Sequence, residues 1–174
     1  TSINDLDEEL SLTKSKQIES FKMRVGKQSW KNDLERINHV RKNFSETNLM
    51  VDAISGTRNP IWSLKDSIQK YKSLENLDLT WLEEPLPPEK LDEYLLLKNS
   101  INIPLAAGEA YSSETEFYGL IHFANIDIVQ FDVSHSGGFN VANKIYKLAA
   151  QRDKKCAFHV WGSLIAQMAN YHLA

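Results

Sequence analysis

The stretch "LTWLEEPLPP", residues 79–88, runs from apolar and aromatic positions straight into two carboxylates and then a proline. It reads as a short strand that ends on Glu83. Pro85 has no N–H to give to a sheet ladder, so it closes the strand. Alternation along a strand puts Glu83 and Glu84 on opposite faces. Glu83 then faces whatever gathers at the strand end, and Glu84 is expected to be a neighbouring or loop charge.

The same pattern recurs on either side. "SFKMRV" (20–25), "NLMVDA" (48–53), "IPLAAGE" (103–109), "DIVQFD" (127–132) and "CAFHV" (156–160) are short, apolar runs, as in strands covered on both faces. Helix-period segments lie between them at 29–44, 63–74, 90–100, 113–124 and 140–151, with others at 4–19 and 162–174. In the first of these, Trp30, Leu34, Ile37, Val40 and Phe44 form one apolar stripe behind Ser29 as N-cap. Ser113 and Glu116 have capping-box spacing.

Strict βα alternation predicts parallel strands with right-handed crossovers. Ionisable residues then recur near the strand ends: Lys22 and Arg24, Asp52, Glu83, Glu109, Asp132 and His159. From Arg24 on, they stand 28, 31, 26, 23 and 27 residues apart. In a (β/α) barrel these ends converge on one mouth, where chemistry is done. In an open doubly wound sheet they would be strung along an edge. The expected fold class is therefore α/β, a partial (β/α)8 TIM-type barrel with six parallel strands. Eight units need about 250 residues, so the 174 residues are expected to form an incomplete barrel domain. Its first and last barrel strands are expected to be absent.

The composition is ordinary for a globular protein, 42% apolar and 25% charged, and the N-terminus "TSINDLDEEL" is polar rather than a leader. A net charge of −3 argues against nucleic acid as a partner, and no apolar run approaches membrane-spanning length. A single cysteine, Cys156, leaves no disulfide framework and reads as a small buried strand residue. A reducing cytoplasm is the expected compartment. An open arc of strands is an association hazard, so a homo-oligomer is expected.

Asp52, Glu83 and Glu109 bring one carboxylate each from consecutive strands to one end. Like charges so close repel unless a proton or a cation intervenes. Oxygen-only ligands suit Mg²⁺, with Mn²⁺ as an alternative. Asp132 beside His159 would orient the imidazole as a general base. His39, His122, His135 and His172 lie on helices or in a loop and read as structural or surface groups. Lys22 and Arg24 share a strand face and would clamp an anionic substrate. The glycine pair in "SGGFN" (136–140) reads as a turn rather than a phosphate site, and no P-loop or dinucleotide fingerprint is present.

Together "FKMRVG", "LMVDA", "WLEEP", "GEAYSS", "FDVSHSGG" and "FHVWGS", in this order, resemble the mandelate racemase/muconate lactonizing branch of the enolase superfamily. The resemblance covers nearly the whole chain. It implies a (β/α)7β-type barrel with a separate N-terminal capping domain, expected to be absent here, with Mg²⁺ on Asp52, Glu83 and Glu109, and a His159–Asp132 base pair acting on a small carboxylate-bearing substrate. The family's Lys-x-Lys motif falls on Lys22 and Arg24. Arg24 departs from the pattern, because a guanidinium stays charged at neutral pH and makes a poor base. Ile54 stands where the family has Asn. One good base favours dehydration of an acid sugar, a hydro-lyase reaction. The alternatives are a racemase or epimerase, and a catalytically silent metal-binding fragment.

Overall fold

A computed structural model describes residues 3–16, 18–57 and 61–174. Gln17, inside the segment expected to be helical, lies outside the described residues. Among the described residues six strands alternate with seven α-helices: α1 (Ile3–Ser15), β1 (Ser20–Arg24), α2 (Trp30–Asn43), β2 (Asn48–Asp52), α3 (Leu64–Lys72), β3 (Leu79–Glu83), α4 (Leu91–Lys98), β4 (Leu105–Ala107), α5 (Glu114–His122), β5 (Ile128–Val129), α6 (Gly138–Ala150), β6 (Lys155–Cys156) and α7 (Leu164–Leu173). The strands form one open sheet in chain order, β1-β2-β3-β4-β5-β6, every neighbouring pair parallel.

Local chemistry sets where the helices begin. Ser29, Ser63, Ser113 and Ser163 each accept a hydrogen bond from a backbone N–H three residues on. Such caps satisfy donors that the first helical turn leaves open. Ser113 and Glu116 complete the reciprocal capping box. Helix α6 starts two residues earlier than its apolar pattern suggests, at Gly138, because Gly137 and Gly138 take positive φ and turn the chain after β5.

Register shows which face does what. Lys22 pairs with Met50, and Arg24 pairs with Asp52, which pairs in turn with Glu83 and through it with Ala106. Partners in a parallel ladder share a face. The opposite face carries Met23, Leu49, Val51, Leu82, Leu105, Ala107, Val129 and Phe131, all buried. These join Ile37, Val40, Tyr71, Tyr94, Leu97, Phe117, Leu120, Ala142 and Ile145 from the helices in one hydrophobic cluster. Ala106 and Ile128 are buried too but lie on the other face and outside that cluster. The core is therefore the layer between sheet and helices, which leaves the other face free to carry polar side chains.

Three strands are shorter than their apolar runs. Glu109, Asp132 and His159 lie beyond the ends of β4, β5 and β6 and not in them. Gly108, at φ +131°, turns the chain out of β4, where a Cβ would come within 2.7 Å of the Gln130 carbonyl oxygen. Past β5 the backbone pairing continues in two bonds, from Gln130 N–H to Ala107 C=O at 2.9 Å and from His159 N–H to Phe131 C=O at 3.1 Å. Cys156 is half-buried, not buried.

The segment after Glu83 explains the opening stretch. Pro85, Pro87 and Pro88 cannot donate, yet residues 83–87 are buried. Their carbonyls are satisfied from outside. Ser55 Oγ and Tyr71 OH donate to Pro85 C=O at 2.8 and 2.9 Å, and Tyr94 OH donates to Leu86 C=O at 2.7 Å. Tyr111 OH donates to Pro88 C=O at 2.5 Å. Three tyrosines from three different segments thus fix the turn that aims Glu83.

Candidate active site

The polar face carries two groups of side chains at the C-terminal edge of the sheet. In the first, Lys22 Nζ lies 2.5 Å from Glu83 Oε1 and 3.9 Å from Asp52 Oδ2. Arg24 Nε donates to Asp52 Oδ2 at 3.2 Å. Asp52 Oδ1 accepts the Ile54 N–H at 3.0 Å, and Glu83 Oε2 accepts the Trp81 indole N–H at 2.9 Å. Asp52 and Glu83 are fully buried. In the second group, His159 Nδ1 lies 3.3 Å from Asp132 Oδ2, and His159 Nε2 lies 3.5 Å from Glu109 Oε2. Asp132 only accepts, so this contact assigns a ring proton to Nδ1.

Charge links the two groups. Burial pushes the Asp52 carboxyl up and the charge of Glu83 adds to it, against opposing pulls from Lys22, the Ile54 N–H and Arg24. Burial also raises Glu109; His159 opposes this, while the charges of Asp52 and Glu83 add to it. All seven residues singled out in the sequence therefore lie at one edge. The three carboxylates do not form a ready cage: among the described residues no three His, Cys, Asp or Glu side chains stand close enough to hold a metal ion as they are. Lys22 supplies the counter-charge between Asp52 and Glu83. The donor set, oxygen only and electrostatically strained, fits a hard divalent cation in its chemistry.

Glu84 is not the loop charge expected. It is buried, and Gly108 N–H donates to its Oε1 at 3.0 Å. Burial raises it to about 8; the Gly108 N–H opposes this, and the charges of Glu109, Glu83 and Asp52 add to it. A carboxyl held above its ordinary value of 4.5 gives the folded state an extra proton, so stability falls as pH rises from about 4.5 through about 8. Glu84→Gln has no such slope. Denaturant melts at pH 5, 6, 7 and 8 should show the unsubstituted chain losing on the order of 1 kcal/mol or more relative to the variant. Parallel profiles would contradict this.

Ile54 takes φ +43°. A β-branched residue is out of place there, at roughly 1–2 kcal/mol, whereas Asn tolerates that region. Ile54→Asn is expected to raise the melting temperature by about 2–4 °C, measured by circular dichroism.

Sequence reasoning missed three residues that touch this edge. Trp81 donates to Glu83. Ser134 donates to Asp132 Oδ1 from Oγ at 2.6 Å and from N at 2.8 Å. Asn170, on α7, donates to the same oxygen from Nδ2 at 2.9 Å. Trp81 had a signal, since it lies two residues before Glu83 on the same face. Two of the histidines set aside have partners elsewhere, His39 with Asp7 at 2.6 Å and His122 stacked on Tyr118, while His135 N–H donates to Asp132 C=O at 3.0 Å in the loop after β5.

The family described as enolase C-terminal domain-like matches residues 5–174. The chain belongs to that family. Within this enolase-type family it is 30% identical over 160 residues to an L-talarate/galactarate dehydratase of Salmonella typhimurium, covering 91% of this chain and 39% of that protein. The crystal structure of a 3,6-anhydro-D-galactonate cycloisomerase from Zobellia galactanivorans superimposes with a TM-score of 0.86 at 33% identity, covering 95% of this chain and 46% of that one. An L-talarate dehydratase from Polaromonas sp. JS666, complexed with Mg and L-glucarate, gives 0.85 at 28% identity, covering 98% and 46%. Further relatives of the enolase-type chain are dehydratases, cycloisomerases, a racemase and an epimerase. The chain spans less than half the length of the relatives it matches. Among the described residues no helix is long and apolar enough to cross a membrane.

Proposed function

We propose that the protein removes the proton α to a substrate carboxylate with the help of Mg²⁺, and that the reaction is dehydration of an acid sugar to a 2-keto-3-deoxy acid. The observation that carries this is the meeting of Asp52, Glu83 and Glu109 with a His159–Asp132 pair at one sheet edge. Family membership supports it, as does the relative complexed with Mg and L-glucarate.

Asp52, Glu83 and Glu109 would hold the cation. When bound, it supplies positive charge where the substrate carboxylate gains negative charge. Lys22 lies beside the same carboxylates and pairs with the substrate carboxylate. His159 Nε2 takes the α-proton, and Asp132 stabilises the imidazolium that results. The α C–H electron pair becomes the new double bond as the β C–O bond breaks. The departing hydroxide collects the proton from His159 and leaves as water, and the enol product tautomerises to the keto acid.

A racemase would need a second base on the other substrate face. Arg24 occupies that place in the sequence motif, but its guanidinium is held by Asp52 and stays charged. One-base chemistry is therefore favoured over racemisation. The test is a panel of aldonic and aldaric acids incubated with the protein and Mg²⁺ in deuterated water. Dehydration predicts a keto acid product, and racemisation predicts deuterium in both epimers without one. Neither exchange nor product with any acid would overturn the proposal.

A further inference from the structure

We infer that Asn170 is a positioning residue for the base: it holds the Asp132 carboxylate so that Oδ1 is occupied and Oδ2 is turned to His159 Nδ1. This rests on the reading of His159 as the base.

Helix α7 is unusual in what it buries. Leu164, Ile165 and Tyr171 are 70%, 83% and 76% exposed, while Asn170 is 1% exposed. Of the residues of α7, Asn170 alone is buried. A polar side chain in that position is expected to have all its bonds made, and it does. Asn170 Oδ1 accepts the Val133 N–H at 2.8 Å. Its Nδ2 donates to Asp132 Oδ1 at 2.9 Å and to Ala166 C=O at 3.1 Å. The partners fix the amide's orientation, because Val133 N–H can only donate and the other two can only accept.

The consequence falls on Asp132. Its Oδ1 receives three donors, Ser134 N, Ser134 Oγ and Asn170 Nδ2. Its Oδ2 faces His159. Rotation of the carboxylate would break several charge-assisted hydrogen bonds at once. A ring proton of His159 is thereby held on Nδ1, and Nε2 is the nitrogen turned toward Glu109.

Asn170 also anchors the loop after β5 through Val133, so two variants are needed. Asn170→Asp keeps an acceptor for Val133 N–H but replaces the donor facing Asp132 with a second carboxylate. Asn170→Leu keeps the branched shape and removes all three side-chain hydrogen bonds. The His159 tautomer is read by long-range ¹H–¹⁵N correlation on ¹⁵N-histidine-labelled protein, assigned by the signal lost in His159→Gln. The expected results are a single Nδ1–H tautomer in the unsubstituted chain and its loss in both variants. With L-glucarate and Mg²⁺ as the probe, kcat is expected to fall about ten- to a hundredfold with KM within about twofold. An Nε2–H tautomer in the unsubstituted chain, an unchanged tautomer in a folded variant, or a rise in KM alone would overturn the proposal. Failure of both variants to fold would make Asn170 a loop anchor and also overturn it. If the unsubstituted chain shows no turnover, the functional reading fails, while the tautomer measurement still decides the role of Asn170.

Discussion

His159→Gln is expected to lower α-proton exchange by about 10²- to 10⁴-fold, the usual range for removing a general base. Glutamine keeps a polar side chain at the sheet edge but cannot take a proton at neutral pH. The proposed metal ligands are separate residues, so Mg²⁺ affinity should change little. Deuterium incorporation into an acid sugar, followed by NMR beside a calorimetric Mg²⁺ titration, separates the two effects. Exchange at the unsubstituted rate would remove His159 from the mechanism.

Glu83→Ala is expected to weaken Mg²⁺ binding by about a hundredfold or more. Glu83 is the middle carboxylate, with Asp52 beside it in register and Glu109 coupled to it by charge. Its removal also leaves the Trp81 indole N–H without that acceptor and deprives Lys22 of its 2.5 Å partner. Glu84→Gln is the matched control one residue away. Glu84 is buried on the other side of the chain and bonded to Gly108, so the control should still bind Mg²⁺. Equal affinity in Glu83→Ala and the control would exclude Glu83 as a ligand.

Much of this could be read from the amino-acid order because it depends on local periodicity. Alternation places Lys22 and Arg24 on one face, and both meet carboxylates there. Serine before an apolar stripe marks helix starts, and Ser29 and Ser113 cap the helices that follow them. The recurrence of ionisable groups about once per βα unit anticipates their meeting at one edge.

What was not legible depends on packing between distant segments. Alternation gives the side on which Glu84 points but not its burial, which depends on the tyrosine-braced turn around it. Apolar runs cannot reveal that Gly108 bends β4 short, since the obstacle is a carbonyl oxygen on the neighbouring strand segment. Nothing local marks Asn170, whose partner Asp132 is 38 residues away. Lys22 reads in the sequence as a clamp for an anionic substrate, or else as a charge balancing the acidic interior, and only the folded strands show which carboxylates it meets, Asp52 and Glu83.

The central claim is that a divalent cation sits beside an imidazole base at this edge. Following the His159 ring resonances during a Mg²⁺ titration tests both halves together, because Glu109 Oε2 lies 3.5 Å from His159 Nε2. The expected result is a saturable shift at Mg²⁺ concentrations on the order of millimolar or below, absent in Glu109→Ala. A His159 signal unmoved by Mg²⁺, or moved equally in Glu109→Ala, would contradict it.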